Sequence, residues 1–421
     1  MSHPFDKALR ERAARVIPGG MYGHQAVGAL PDGYSQFFAR AEGPWLWDTD
    51  GNLLLDLMCA YGPQLFGYGN AKIDRAYVDQ MAAGDAMTGP SPLMVDLAEK
   101  MVSMIGHADW AMFCKNGSDA TTMALMTARA HTGKNCVVRA RGAYHGSQPW
   151  ANPRPRGIAP GDQAGQHFCD YNDVASLEAA VAAAGNDLAA IFAAPYRHDV
   201  FVDQSQPDAV YAKRARELAD ETGALLIVDD VRAGFRMARD CSWSVVGVAP
   251  DLSCWGKAIA NGHPISALVG SDKARGAAEK IYATGSYWFA AAAMAASLTT
   301  LELIQSTDYL ERIVVMGERL RAGLDKHAHA HGFKLRQTGP AQMPLILFDN
   351  DPDMRLGYHW CSRMVAHGVY VHPWHNMFMS AAMTDVNIDF ALDAAGESFR
   401  ELEQAAPTLG PNERYPGPRK G

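Results

Sequence analysis

The stretch Leu225-Leu-Ile-Val-Asp-Asp-Val-Arg-Ala-Gly-Phe-Arg236 decides how the chain is expected to fold. Its first four residues form a continuous apolar run, which is typical of a strand covered on both faces. Two carboxylates, Asp229 and Asp230, follow the run directly. Open α/β sheets bind their ligands at the carboxyl ends of their strands. The stretch therefore predicts a central parallel strand with a polar binding edge at Asp229.

Helices alternate with short apolar strands on either side of this stretch. The predicted helices cover 92–105, 118–132, 173–184 and 207–222, and the predicted strands cover Ala111–Cys114, Cys136–Arg139, Ala189–Ala193 and Leu225–Val228. Such alternation indicates a mostly parallel sheet wrapped by helices, hence an α/β fold class. We expect three segments: an N-terminal part of a small domain (1–70), a large domain (71–309) and a C-terminal part of the small domain (310–421).

Charge and composition argue against several classes of protein. The net charge of -8 disfavours a nucleic acid or an anionic membrane as partner. No apolar run is long enough to span a membrane. The seven cysteines are scattered and form no C-x-x-C pair, which disfavours a disulfide framework and fits a reducing cytoplasm. The alternating His327, His329 and His331 end a polar helix and are interpreted as solvated, so no metal site is predicted.

A turn that could hold phosphate lies between a predicted strand and the helix after it. In Lys115-Asn-Gly-Ser-Asp119, Gly117 allows close backbone approach and Ser118 offers a hydroxyl at the start of the helix. Free N–H groups and the dipole at a helix N-terminus favour an anion. Taken alone, the turn is equally well explained as a plain helix cap.

Two further features would suit a flat aromatic ring. Tyr144 in Tyr144-His145-Gly146 could stack on a ring, although a loop tyrosine and a hydrogen-bonded scaffold histidine are common. Strand alternation would point Asp229 and Val231 to one face and Asp230 and Arg232 to the other. Asp229 could then pair with a pyridinium N–H and Val231 could pack on the ring, while Asp230 and Arg232 are expected in structural ion pairs.

A lysine follows in Ser253-Cys-Trp-Gly-Lys257. A lysine in a desolvated pocket has a lowered pKa, which makes its amine competent to form a Schiff base and to carry a proton. Each feature is common by itself. In this order, the four features predict a site for pyridoxal 5'-phosphate (PLP).

These residues resemble a known family, the class III (fold-type I) PLP-dependent aminotransferases, and are most similar to its glutamate-1-semialdehyde aminomutases and β-amino-acid aminotransferases. The resemblance runs from Ile17 to about Leu402. Besides the motifs above, it includes Ile17-Pro-Gly-Gly20, Arg40–Gly51, Tyr61-Gly62-Pro63, Gly256-Lys257 and Asn376–Thr384.

The resemblance implies a large α/β/α domain with a mostly parallel sheet and a smaller α+β domain built from both chain ends. It implies that Lys257 forms the Schiff base and Asp229 pairs with the pyridine nitrogen. The cofactor-binding residues that it implies are Gly117, Ser118, Tyr144, His145, Val231 and Ser286. Ser286 would reach the phosphate of the neighbouring subunit, which implies a homodimer with shared active sites.

The chain departs from the family pattern at several positions. Ala194-Pro195 replaces a Glu-Pro pair, Phe289-Ala-Ala291 replaces Gly-Asn-Pro, and Asp230 replaces a glutamate. The arginine with which the aminomutases hold the substrate carboxylate aligns near Gln25. The substrate contacts that we predict there are Tyr22, His24 and Gln25.

The sequence favours an enzyme that moves an amino group between an amine or amino acid and a carbonyl compound. An aminomutase, a racemase or a lyase with the same cofactor is the first alternative, because the departures touch substrate positions. A non-catalytic binding protein that keeps the fold is the alternative of another class.

Overall fold

The computed structural model describes residues 3–154, 156–415 and 417, and the side chains of His24 and Val27 lie outside this description. Within it the chain forms two compact units. Of these residues, the first unit contains 3–70, Val200–Gln204, 311–415 and 417, and the second contains Ala71–Asp199 and Ser205–Leu310.

Short strands and longer helices make up both units. The strands, in chain order, are β1 (Phe38–Glu42), β2 (Trp45–Asp48), β3 (Leu53–Asp56), β4 (Trp110–Cys114), β5 (Cys136–Ala140), β6 (Gln166–Cys169), β7 (Leu188–Ala193), β8 (Leu225–Asp229), β9 (Leu252–Trp255), β10 (Ser266–Gly270), β11 (Leu335–Thr338), β12 (Leu345–Phe348) and β13 (Val369–Tyr370). The α-helices are α1 (Pro4–Val16), α2 (Ala71–Ala83), α3 (Leu93–Met104), α4 (Gly117–Thr132), α5 (Val174–Ala184), α6 (Ala209–Thr222), α7 (Asp272–Ala278), α8 (Ala291–Ser306), α9 (Tyr309–Ala330), α10 (Arg355–Ala366) and α11 (Asp385–Ala405).

A seven-stranded sheet organises the second unit, in the order β4-β10-β9-β8-β7-β5-β6. Strand β10 runs antiparallel to both of its neighbours, and the pairs from β9 to β6 are parallel. The apolar residues of β8 are fully buried, because the strand lies between β7 and β9 and helices cover the sheet. The predicted α/β class with a mostly parallel sheet is confirmed.

Helix α4 connects the sheet core to the edge where β8 ends. It packs on β7, β9 and β10, and its buried face includes Ala120, Ala124 and Ala128. The small alanine side chains let the helix lie close to the strands. Gly133 ends the helix in a left-handed conformation (φ 69°), and its N–H donates to the carbonyl of Arg129.

Both chain termini contribute to the first unit. Its four-stranded sheet has the order β1-β2-β3-β13, and β13 pairs with β3 in parallel. The β2–β3 turn is held by Asp48, whose Oδ1 accepts the N–H groups of Asp50 and Asn52. Strands β11 and β12 form an antiparallel hairpin, and α10 packs against α11.

Strands β1, β6, β10 and β13 are among those that were not predicted from the sequence. Strand β1 carries four charged or small residues in five and is largely exposed, so it has no apolar alternation. Strand β13 has two residues only. Among the described residues, no helix has both the length and the apolar character needed to cross a membrane.

Candidate active site

The carboxyl end of β8 places a buried carboxylate at the edge of the large sheet. Asp229 is buried, and its Oδ2 lies 2.8 Å from Nδ1 of His145, which is also buried. Its Oδ1 accepts the N–H of Val231 at 3.2 Å. A carboxylate only accepts hydrogen bonds, so Nδ1 of His145 carries the hydrogen of the shared bond. The pair fixes the direction in which Asp229 can accept a further hydrogen bond.

The loop after β5 holds His145 in place. Its carbonyl accepts the hydroxyl of Thr121 at 2.7 Å, and its ring packs on Phe192 with 4.7 Å between ring centroids. Nε2 of His145 has no hydrogen-bond partner within the described residues. Tyr144, the predicted stacking residue, precedes it and is half-buried. The structure therefore brings His145 and Asp229 together as a hydrogen-bonded pair.

The N-terminus of α4 offers hydrogen-bond donors for an anion. The N–H of Asn116 donates to Oδ2 of Asp119 at 2.9 Å, which fixes the first turn. Within the described residues, the N–H groups of Gly117 and Ser118 have no acceptor. Ser118 Oγ accepts the N–H of Ser147 at 3.0 Å. Free N–H groups, a hydroxyl and the helix dipole are the features that bind phosphate.

Val231 packs closely against the turn that begins α4 and against the segment that leads to Lys257. A Cβ on Gly117 would lie 2.6 Å from Cγ1 of Val231, and a Cβ on Gly256 would lie 3.3 Å from the same atom and 2.8 Å from Oγ of Ser266. Both glycines are therefore required by space. Because Gly117 opens α4 and Gly256 precedes Lys257, Val231 lies between the anion-binding turn and the lysine.

Lys257 begins a short 3-10 turn, Lys257–Ala260, in a left-handed conformation (φ 46°). That conformation is costly for a residue with a side chain and occurs most often at functional sites. Burial, and after it the charges of Arg232 and Arg236, lower the pKa of Lys257 to about 7, against an opposing effect of Asp229. Near neutral pH a large fraction of this amine is therefore unprotonated and nucleophilic.

The prediction that Asp230 forms an ion pair was wrong. Within the described residues Asp230 forms no ion pair: its carboxylate accepts the N–H of Ser242 at 2.9 Å and the hydroxyl of Ser242. Burial raises the pKa of Asp230 to about 6. Strand alternation fails here because β8 ends at Asp229 and a turn follows. The Arg232 guanidinium, farther along that turn, donates to the carbonyl of His198 at 3.3 Å.

Two residues near Lys257 were missed from the sequence, Arg232 as a neighbour of the amine and His198. The charge of Arg232 lowers the pKa of Lys257, and the charge of Lys257 lowers the pKa of His198. Arg232 stands three residues after Asp229, so its position in the motif was the available signal. No motif marked His198.

Of the remaining predicted residues, Ser286 belongs to the same unit as Lys257, and Tyr22, His24 and Gln25 belong to the other unit. Ser286 is exposed between α7 and α8, and its side chain forms no hydrogen bond within the described residues. Tyr22 is exposed, and the side chain of His24 lies outside the described part of the chain. Gln25 donates from Nε2 to the hydroxyl of Tyr61 at 2.6 Å.

Comparison with known proteins identifies the family. The model of the class-III aminotransferases matches residues 29–396. An aminopentol aminotransferase of Sphingopyxis macrogoltabida is 54% identical over 96% of either chain, and a glutamate-1-semialdehyde 2,1-aminomutase of Bordetella avium is 29% identical over 94% of this chain and 98% of its own. The solved structure of the PLP internal aldimine form of the Sphingopyxis sp. MTA144 FumI protein matches with a TM-score of 0.95 and 54% identity, over 96% of this chain and 98% of that one.

The chain belongs to the class-III aminotransferase family, and it is an enzyme whose cofactor is PLP. The predicted family, activity and cofactor are confirmed. The residues at the end of β8 fit this cofactor on structural grounds: a buried carboxylate with a fixed direction, a helix N-terminus with free N–H groups packed against Val231, and an amine of lowered pKa.

We predict that Gly146→Ala weakens the binding of PLP by about tenfold or more. Gly146 has φ 115°, and a Cβ there would lie 2.7 Å from Oγ of Ser118, so Ser118 must leave its position. Gly157→Ala is the matched control, because Gly157 has φ 79° but has no atom within 4 Å of an added Cβ. Titration of the apoprotein with PLP measures both affinities. Equal affinities for the two variants would contradict the assigned role of Ser118.

Proposed function

We propose that this aminotransferase holds PLP through Lys257 and transfers an amino group between a primary amine and a carbonyl compound. The observation that carries this proposal is the buried amine of Lys257, whose pKa is lowered to about 7. The preceding residue, Gly256, packs against Val231 just beyond the carboxyl end of β8. A buried lysine with such a pKa in a site with a carboxylate is typical of catalytic lysines.

Each residue would have a definite task. When bound, PLP supplies an aldehyde and a pyridine ring that accepts electrons. Asp229, oriented by His145, would accept a hydrogen bond from the ring nitrogen and keep it protonated. Gly117 and Ser118 would bind the phosphate, and Val231 and Tyr144 would flank the ring. The free amine of Lys257 would remove a proton from the substrate carbon and return it, since its pKa lies near the working pH.

The substrate that we propose is an amine without a carboxylate beside the reacting carbon. The relative with 54% identity is named an aminopentol aminotransferase, that is, an enzyme for an amine that bears several hydroxyl groups. Where the aminomutases are expected to hold a carboxylate with an arginine, this chain has Gln25, whose amide is bound to Tyr61. Neutral amide and phenol groups suit hydroxyl groups better than a carboxylate.

The test of this proposal is the visible spectrum of the protein reconstituted with PLP, beside Lys257→Ala. We expect an absorption band of lysine-bound cofactor that is lost in the variant. A hydroxylated primary amine should remove the band, and a carbonyl acceptor should restore it with release of the aminated product. An α-amino acid should act at least about tenfold more slowly.

Three other outcomes of this experiment would change the proposed reaction, the role of Lys257 or the substrate class. Turnover of a single substrate without a carbonyl acceptor would favour an aminomutase, a racemase or a lyase over a transferase. A band that persists in Lys257→Ala would contradict the role of Lys257. Faster reaction with α-amino acids than with hydroxylated amines would contradict the substrate class and leave the role of Lys257 standing.

We also propose that the protein is a homodimer in which Ser286 reaches the phosphate site of the partner subunit. Exposed apolar side chains lie around Ser286: Tyr282 and Tyr287 expose 87% and 67% of their surface. Surfaces of this kind mark protein interfaces. Sedimentation velocity should give the mass of two chains, and a monomer at micromolar concentration would contradict the dimer.

The seven free cysteines support the proposal that the protein works in a reducing compartment, the cytoplasm.

A further inference from the structure

The turn that carries Lys257 has a left-handed backbone at two residues. Lys257 has φ 46°, and Asn261, which ends the turn, has φ 47°. Asparagine adopts this conformation readily, but for a residue such as lysine it is costly and persists only where the surrounding structure fixes it. The side chains that hold segment 257–263 therefore decide where the amine of Lys257 lies.

Ser297 is the first of these side chains. It lies in α8, is fully buried, and its Oγ donates a hydrogen bond to the carbonyl of Ile259 at 2.8 Å. Ile259 stands two residues after Lys257 in the same turn. Because a buried carbonyl needs a donor, the hydroxyl of Ser297 fixes the backbone of the turn from the side of α8.

The direction of this hydroxyl distinguishes Ser297 from its neighbours. The other three hydroxyl side chains of α8 donate to carbonyl groups of their own helix, four residues earlier: Thr299 to Ala295, Thr300 to Ala296 and Ser306 to Glu302. Such back-bonding is a common arrangement for a serine or threonine inside a helix. Ser297 instead directs its one donor to the lysine turn.

His263 holds the other end of the segment. Its N–H donates to the carbonyl of Ala260, the last residue of the turn, at 3.0 Å. Its ring stacks on Tyr77 with 4.3 Å between the centroids, and its Nε2 lies 3.1 Å from Oδ1 of Asp74. Tyr77 and Asp74 are three residues apart on α2, so they lie on one face of that helix. The segment is therefore fastened to α2 as well as to α8, and these two helices pack against each other.

We propose that Ser297 and His263 are positioning residues, which clamp the turn so that the amine of Lys257 stays in its water-excluded position. This inference rests on the proposed role of Lys257. A clamped turn returns the amine to one position each time it removes a proton from the substrate and gives it back.

The hydration of the amine is the quantity that the clamp controls. Burial is the largest cause that lowers the pKa of Lys257, and the charges that act on it are those of Arg232, Asp229 and Arg236. Removal of the uncharged hydroxyl of Ser297 leaves these charges in place. Water that reaches the amine through a loosened turn should raise its pKa toward the ordinary value of a lysine. A raised pKa would therefore report lost exclusion of water and not a changed charge.

The experiment measures how the rate of covalent PLP binding by the apoprotein depends on pH, in the wild type, Ser297→Ala and His263→Ala, with Lys257→Ala as the blank. Ser297→Ala removes only the hydroxyl, and His263→Ala removes the stack on Tyr77 and the pair with Asp74. We expect each variant to raise the midpoint from about 7 by at least about half a pH unit.

The matched control is Thr300→Val. Thr300 is as deeply buried in α8 as Ser297, but its hydroxyl bonds within the helix, and valine keeps the shape of the side chain. Thermal unfolding shows which variants are folded, and His263→Ala decides alone if Ser297→Ala is not. An unchanged midpoint in a folded variant of either residue, or an equal shift in Thr300→Val, would overturn the proposal. A wild-type protein without Lys257-dependent binding of PLP would instead overturn the proposed function, and this inference with it.

Discussion

The exclusion of water from the amine of Lys257 is the constraint on which the site depends. A charged ammonium loses hydration when it is buried, and Arg232 and Arg236 add repulsion, so the pKa of Lys257 falls to about 7. Asp229 opposes this effect. Its carboxylate is oriented by the hydrogen bond with His145, so that it can accept a further hydrogen bond in one direction. The amine is thereby kept reactive at neutral pH while the carboxylate stays available for a ligand.

Tight packing makes this exclusion of water effective. Val231 touches the positions of Gly117 and Gly256, so the first turn of α4 and the turn that contains Lys257 both pack against one residue. Two glycines and a left-handed lysine are needed to bring three backbone segments so close. A substitution at any of them would change the cofactor-binding geometry before it reached any reacting atom.

The sequence predicts the mostly parallel sheet well, because its strands follow local rules. Continuous apolar runs such as Leu225–Val228 need burial on both faces, and the residues directly after them must lie at the edge of the sheet. The rules fail where the strand ends: alternation assigned Asp230 to an ion pair, whereas the turn after Asp229 directs it to Ser242. His198 lies five residues beyond β7, and only the tertiary structure shows that it is buried. Strands β10 and β13 were missed because their pairing is set by distant segments.

The most direct test is the pH dependence of the rate at which the apoprotein binds PLP covalently, measured with Lys257→Ala as the blank. The pKa of the folded lysine lies below its ordinary value, so half of the amine should be free at about pH 7 and nearly all of it about two pH units higher. The account predicts a rate that rises with pH, has its midpoint near 7 and then levels. A rate that continues to rise toward the pKa of an ordinary lysine would show that Lys257 is not desolvated, and would contradict the account.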